Sequence, residues 1–133
     1  MTARQRRRFE IRRAYDAPPR GGSYQVLVDR LWPRGVRKDE AALDEWAKDV
    51  APSDALRRWY GHETEKYAEF ARRYRDELKK SPGREVVTRL RAEATSRPVT
   101  LVTATRDVEH SGAAVLRDVL VGRATRAATT SAE

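Results

Sequence analysis

The sequence predicts an α/β protein, with a small, mostly parallel sheet covered by helices in a single domain. Residues 24–28 and 99–105 are short segments of β-forming residues, and each is followed by polar loops and by helical periodicity. The segment order β, β, α, α, α, α, β, α favours parallel strands, which need covering helices between them. A chain of 133 residues has room for one hydrophobic core.

Three segments have the patterns of strands. Residues 9–15 alternate apolar and charged side chains, which predicts a half-buried strand at the edge of the sheet. Residues 24–28 and 99–105 are typical of central strands. Prolines and glycines within residues 18–22 predict a loop, and residues 32–35, Trp-Pro-Arg-Gly, have the composition of a turn.

Five segments are expected to be helical. They are residues 39–49, 52–61, 63–80, 84–94 and 109–121. Asp39 can cap the first helix, whose apolar face would include Trp46, and Ser53 can cap the second. The third has the clearest periodicity, since aromatic and apolar residues recur along one face from Tyr67 to Leu78.

The positive charge is concentrated at the N-terminus. The chain carries a net charge of +8, and residues 1–13 hold six arginines and one glutamate. We expect residues 1–8 to be a disordered basic tail, residues 9–121 to be the folded domain, and residues 122–133 to be a second disordered tail. A basic tail could bind nucleic acid or a protein partner with a steep dependence on salt.

Composition excludes several classes of protein. There are no cysteines and only two histidines without metal-ligand spacing, so we expect no metal site. No glycine-rich loop indicates a nucleotide cofactor, and we expect no cofactor. No apolar run approaches the roughly 18 residues of a membrane helix. We therefore expect a cytoplasmic protein without membrane contact.

Polar side chains follow both central strands. In an open parallel sheet, ligands bind beyond the carboxyl ends of the strands, so two such clusters on neighbouring strands would meet at one rim. The candidate site residues are Asp29, Arg30, Trp32, Arg34, Arg106, Asp107 and His110.

Their chemistry suits an anionic ligand. Guanidinium groups bind phosphate and carboxylate well. We assign ligand binding to Arg30, Trp32, Arg34 and Arg106. Histidine titrates near neutral pH, so His110 is the acid–base candidate, while Asp29 or Asp107 could orient an arginine or accept a proton.

Each candidate also has a structural interpretation. Asp29 could form an ion pair with a neighbouring arginine that closes the strand end. Trp32 could belong to a packed turn. His110 could satisfy a backbone group or face solvent, and His62 is expected to be structural.

A family resemblance rests first on residues 28–35, which read Val-Asp-Arg-Leu-Trp-Pro-Arg-Gly. Further matching segments include residues 43–46, Pro52-Ser53, Gly61-His62 and the stretch from Thr100 to Leu116. With these motifs the chain resembles the YeaO-like branch of the domain-of-unknown-function 488 family over about residues 9–121. The resemblance implies a compact α/β fold and a soluble bacterial protein, and it implies no settled activity.

The chain departs from related branches at one point. Those branches carry a Cys-x-Glu-Lys strand end and then a Cys-His-Arg cluster, where this chain has residues 103–106, Thr-Ala-Thr-Arg, and later Ser111-Gly112-Ala113. Thiol chemistry is therefore absent. The sequence predicts a protein that binds, or turns over, a small anionic ligand at the strand ends, with the basic tail as an alternative binding module.

Overall fold

The sheet has four strands, and all of them are parallel. The structure, a computed structural model, describes residues 8–17 and 21–123. The strands are β1 (Phe9–Arg13), β2 (Tyr24–Leu27), β3 (Glu45–Trp46) and β4 (Val99–Thr103), in the spatial order β1-β4-β2-β3. The prediction of a small parallel sheet in an α/β domain is confirmed, with β1 at an edge and β2 beside β4.

Four α-helices join and cover these strands. They are α1 (Asp54–Tyr60), α2 (Tyr67–Leu78), α3 (Gly83–Glu93) and α4 (Gly112–Val121). Ser53 caps α1 by accepting a hydrogen bond from the backbone N–H of Leu56, as predicted. Short 3₁₀ turns at Thr64–Lys66 and Val108–His110 precede α2 and α4, so both helices begin three or four residues later than expected. None of these helices is long and apolar enough to cross a membrane.

The helix expected over residues 39–49 does not form. This segment contains two 3₁₀ turns, Lys38–Glu40 and Lys48–Val50, with β3 between them. The backbone N–H of Asp44 donates to Gln25 O at 2.8 Å, and the Asp44 Oδ2 accepts from the Gln25 N–H at 2.8 Å. The prediction was wrong because pairing with the exposed edge of β2 satisfies backbone groups that a helix would have satisfied locally.

This pairing predicts that replacing Asp44 lowers the stability of the fold, whereas replacing Asp39 has little effect. Asp44→Ala leaves the N–H of the buried Gln25 without its acceptor, and we expect the free energy of unfolding to fall by about 1–2 kcal/mol. Asp39→Ala should change it by less than about 0.5 kcal/mol, because Asp39 is exposed and caps nothing through its side chain. Urea unfolding of both variants measures the difference. If Asp39→Ala lowered the free energy of unfolding more than Asp44→Ala, the result would favour a helix capped by Asp39 over the pairing with β2.

The main hydrophobic core lies on one face of the sheet. Val26 and Leu101 pack there with apolar residues of α1 to α4. Because successive residues of a strand point to opposite faces, Gln25 and Thr100 lie on the other face, where both are buried. On that face the Nε of Arg12 donates to Gln25 Oε1 at 3.0 Å, and burial lowers the Arg12 pKa. Arg12 is therefore part of the fold and not of a free basic tail.

Most of the two predicted tails and part of the first loop lie outside the described residues. These are residues 1–7, 18–20 and 124–133. Arg8 is described, and its Nε donates to the backbone oxygen of Ala94 at 2.8 Å. At least two of the arginines that were counted with the basic N-terminus are thus bonded to the folded domain.

Candidate functional site

A cavity lies beyond the carboxyl ends of β2 and β4. The two strands are neighbours and parallel, so the residues that follow them reach the same edge of the sheet. The cavity has a volume of about 420 Å³, within the usual range for small-molecule sites. It is lined by the loop after β2, the residues after β4, both ends of α1 and the first turn of α4.

Four of the seven predicted site residues line this cavity. They are Asp29, Arg30, Trp32 and Arg34. Arg106, Asp107 and His110 do not line it, although they follow β4. The strand-end argument therefore located the cavity, but only the loop after β2 supplies the predicted side chains to it.

Asp29 joins the ends of the two central strands. Its Oδ1 accepts a hydrogen bond from Thr103 Oγ1 and its Oδ2 accepts one from the Ala104 N–H, each at 2.7 Å. Burial raises the pKa of Asp29, and these two hydrogen bonds oppose the rise. The ion pair with Arg30 or Arg106 that was considered from the sequence is not what closes the strand end, because both carboxylate oxygens bind β4 and the residue after it.

Arg30 is held by backbone carbonyls. Its Nε donates to Pro52 O at 2.9 Å, and the Asp54 carboxylate lies 3.9 Å from the same nitrogen. Arg34 is exposed at the cavity, and its backbone oxygen accepts a hydrogen bond from the Tyr15 hydroxyl at 3.1 Å. Arg34 is thus an exposed lining residue, while the Arg30 guanidinium is held in a fixed position by backbone oxygens.

Trp32 belongs to a packed turn, as its structural interpretation expected, and it also lines the cavity. Its Nε1 donates to Val36 O at 2.6 Å, which closes the turn after β2. Its ring packs edge-on against Trp46, with 5.4 Å between centroids. The same ring lines the cavity. A packed turn therefore also supplies an aromatic surface to the site.

Sequence reasoning missed Arg57, which lines the cavity from α1. Its Nη2 lies 3.4 Å from Asp54 Oδ1, whereas its Nε is buried and has no hydrogen-bond partner among the described residues. A buried donor without an acceptor is costly, and the Nε atom of Arg13 and one Nη atom of Arg12 share this feature. The one signal in the sequence was its spacing of three residues before Tyr60, which places both on one side of α1.

His62 also lines the cavity, although it was expected to be structural. Gly61 and His62 both adopt left-handed backbone conformations, with φ of 54° and 59°. Such a conformation is uncommon for a residue other than glycine, and strained residues are often found at binding sites. His62 also contributes to lowering the Asp29 pKa, against the larger effect of burial.

Asp107 and His110 form a separate pair. The His110 Nδ1 lies 2.8 Å from Asp107 Oδ2, and the imidazole packs edge-on against Tyr67 with 5.1 Å between centroids. The backbone oxygen of His110 accepts a hydrogen bond from the Tyr60 hydroxyl at 2.6 Å. His110 is thus linked to the cavity through its backbone, while its side chain lies beyond the lining.

The described part of the chain contains no cluster of side chains that could bind a metal ion. No group of three histidine, aspartate or glutamate side chains there could hold a metal ion. The charged side chains of the lining include those of Arg30, Arg34 and Arg57, whose guanidinium groups repel cations.

The fold and the site define a small parallel α/β protein with an arginine-lined cavity at its strand ends. The family model described as "Inactive DUF488-N3 subclade" matches residues 8–133, and the chain belongs to this family. The uncharacterized protein Rv3073c of Mycobacterium tuberculosis is 45% identical over 116 residues, which cover 87% of this chain and 96% of that protein. The uncharacterized protein YeaO of Escherichia coli is 38% identical over 112 residues, covering 84% and 96%. The predicted YeaO-like resemblance is confirmed, and no solved structure matches the chain.

Proposed function

We propose that this protein binds a small anionic ligand in the strand-end cavity. The observation that carries the proposal is that three arginines, Arg30, Arg34 and Arg57, line one cavity. The cavity has the volume of a small-molecule site, and guanidinium groups bind phosphate and carboxylate well. Asp29 is the one carboxylate among the described residues that line the cavity, and its two oxygens already accept hydrogen bonds from the protein.

The first turn of α4 adds to this preference for an anion. Gly112 and Ala113 line the cavity, and the first N–H groups of a helix have no acceptor within it. Ser111 caps the same turn by accepting from the Ala114 N–H at 3.1 Å. The positive end of the helix therefore reinforces the guanidinium groups, a combination that suits phosphate or carboxylate.

Several features favour binding over turnover. Asp29 is engaged in hydrogen bonds, and the Asp107–His110 pair does not line the cavity. The catalytic roles expected for these three residues therefore have little geometric support. The family description also contains the word "Inactive". We infer a cytoplasmic binding protein, placed where phosphorylated and carboxylated metabolites are abundant.

Replacing Arg57 by glutamine tests the site. Isothermal titration of the full chain with inorganic phosphate, pyrophosphate and citrate should detect binding of at least one anion. A charge-assisted hydrogen bond contributes about 1.5–3 kcal/mol, so Arg57→Gln should weaken that binding about 10- to 100-fold.

Arg58→Gln is the matched control. Arg58 is the next residue on α1, is exposed and does not line the cavity, so its replacement should leave the affinity unchanged. Thermal unfolding of both variants checks that the fold is retained. Equal affinities for Arg57→Gln and the wild-type protein, or no binding of any of the three anions, would refute the proposal.

The alternative of a basic binding tail stays a prediction. Arg4, Arg6 and Arg7 lie outside the described residues, whereas Arg8 and Arg12 donate hydrogen bonds within the domain. Arg8 and Arg12 are thus held by the domain, and we rank the cavity ahead of the tail as the functional site.

A further inference from the structure

The large exposed apolar side chains of the described residues lie at the strand-end cavity. The large apolar or aromatic residues that are exposed are Tyr15, with 49% of its surface accessible, and Leu31, with 59%. Both line the strand-end cavity, although they come from different loops. Scattered exposure of single apolar residues is common, but exposure confined to the mouth of an arginine-lined cavity indicates a ligand with an apolar part.

The cavity also has aromatic surfaces deeper inside. Tyr60 and Phe70 line it and stack on each other, with 4.1 Å between centroids and 13° between planes. Trp32 lines it from the turn after β2. A charged ion alone would gain nothing from these rings, whereas a planar aromatic group packs well against them.

Tyr15 is held next to a cationic group. Its hydroxyl donates to the backbone oxygen of Arg34 at 3.1 Å, and the Arg13 guanidinium lies 5.8 Å from its ring centroid. Leu31 is three residues before Arg34, in the same loop. The mouth therefore presents apolar surface and positive charge side by side.

We propose that the ligand is an aromatic anion, in which a flat ring carries a phosphate or carboxylate group. The ring would pack against Leu31, Tyr15 and the aromatic lining, and the anionic group would bind Arg57 and Arg34. This inference rests on the proposed function, because it specifies what the anion-binding cavity selects.

The contribution of an aromatic ring in the ligand is tested by comparing two phosphate monoesters, one with a ring and one without. Phenyl phosphate and methyl phosphate are titrated into the full chain at the same pH and salt concentration. Because burying an aromatic ring against apolar surface is favourable, we expect phenyl phosphate to bind about 5- to 30-fold more tightly.

Variants of Leu31 test whether the aromatic ring of the ligand packs against this side chain. Leu31→Ser should weaken phenyl phosphate binding several-fold and leave methyl phosphate binding unchanged, since the exposed side chain contacts only the ring. Leu31→Met keeps an apolar side chain and should retain the wild-type affinity for both.

The outcomes separate this inference from the proposed function. Equal affinities for the two esters would overturn the aromatic selectivity and leave anion binding intact, whereas no binding of either ester would count against the anion site itself. If Leu31→Ser lowers the sedimentation coefficient and leaves both affinities unchanged, Leu31 is covered by a second copy of the chain, and the inference is also overturned.

Discussion

Tyr60→Ala is expected to lower the free energy of unfolding by about 3–5 kcal/mol, as removal of a buried aromatic ring usually does. Tyr60 is 4% exposed and stacks on Phe70 in the core. Its hydroxyl donates to His110 O at 2.6 Å, which ties the end of α1 to the turn before α4. Since burial raises the pKa of Tyr60 to about 12, the hydroxyl stays protonated at neutral pH and keeps this hydrogen bond.

The same substitution should also reduce ligand binding. Tyr60 lines the cavity on the helix that carries Arg57, so loss of its anchor would free α1 to shift relative to α4. We expect the affinity of Tyr60→Ala for phosphate esters to fall at least about tenfold, by loss of about 1.4 kcal/mol or more.

Tyr60→Phe is the control for both effects. It keeps the stacked ring and removes only the hydrogen bond to His110, so the loss should be about 1 kcal/mol. Chemical unfolding and isothermal titration measure the two variants together. If alanine and phenylalanine have equal effects on stability, the stacked ring does not hold α1 in place.

Asp29→Ala is the second substitution with a large expected effect. It removes the acceptors of two donors, Thr103 Oγ1 and the Ala104 N–H, at the end of the central strand β4. A buried donor left without a partner costs about 1–3 kcal/mol, so we expect a total loss of about 3 kcal/mol. Asp29→Asn keeps one carbonyl oxygen as an acceptor, and its loss should be smaller. Urea unfolding at neutral pH compares the two variants.

Protonation of Asp29 is expected to increase the stability of the fold as the pH falls, whereas most carboxyl groups in folded proteins have the opposite effect. Burial raises its folded pKa above the ordinary value of 3.8, so the folded protein binds this proton more tightly than the unfolded chain. As the pH falls from neutral through the raised pKa, the folded state takes up the proton first, and its stability increases relative to that of Asp29→Asn. Below 3.8 both states are protonated and the gain stops changing.

Unfolding free energies of wild type and Asp29→Asn, measured between about pH 4 and pH 7, test this sign. The wild-type curve should rise relative to the variant's as the solution is acidified. Parallel curves would show that the hydrogen bonds from Thr103 and Ala104 fully offset the cost of burying the charge.

Local patterns in the sequence predicted much of the framework. Strand composition identified β2 and β4, Ser53 was recognised as a cap, and the periodic face from Tyr67 to Leu78 marked α2. These features depend on residues within a few positions of one another, where propensity and periodicity operate. The strand-end argument then placed four residues of one loop at the cavity, because parallel neighbours end at the same edge.

Contacts between distant residues decided the rest. Residues 39–49 have a helical pattern, but the open edge of β2 binds Asp44 and forms β3 instead. Arg57 and His62 belong to the site because Tyr60 fastens α1 to the turn before α4, fifty residues along the chain.

The sequence by itself therefore determined the parallel α/β fold, the family and the edge of the sheet where the cavity lies. Only the tertiary structure decided which side chains surround the cavity and which stay outside it, as Asp107 and His110 do. The physical reason is that periodicity records which face of an element is buried, whereas the position of one element against another is set by packing across the core.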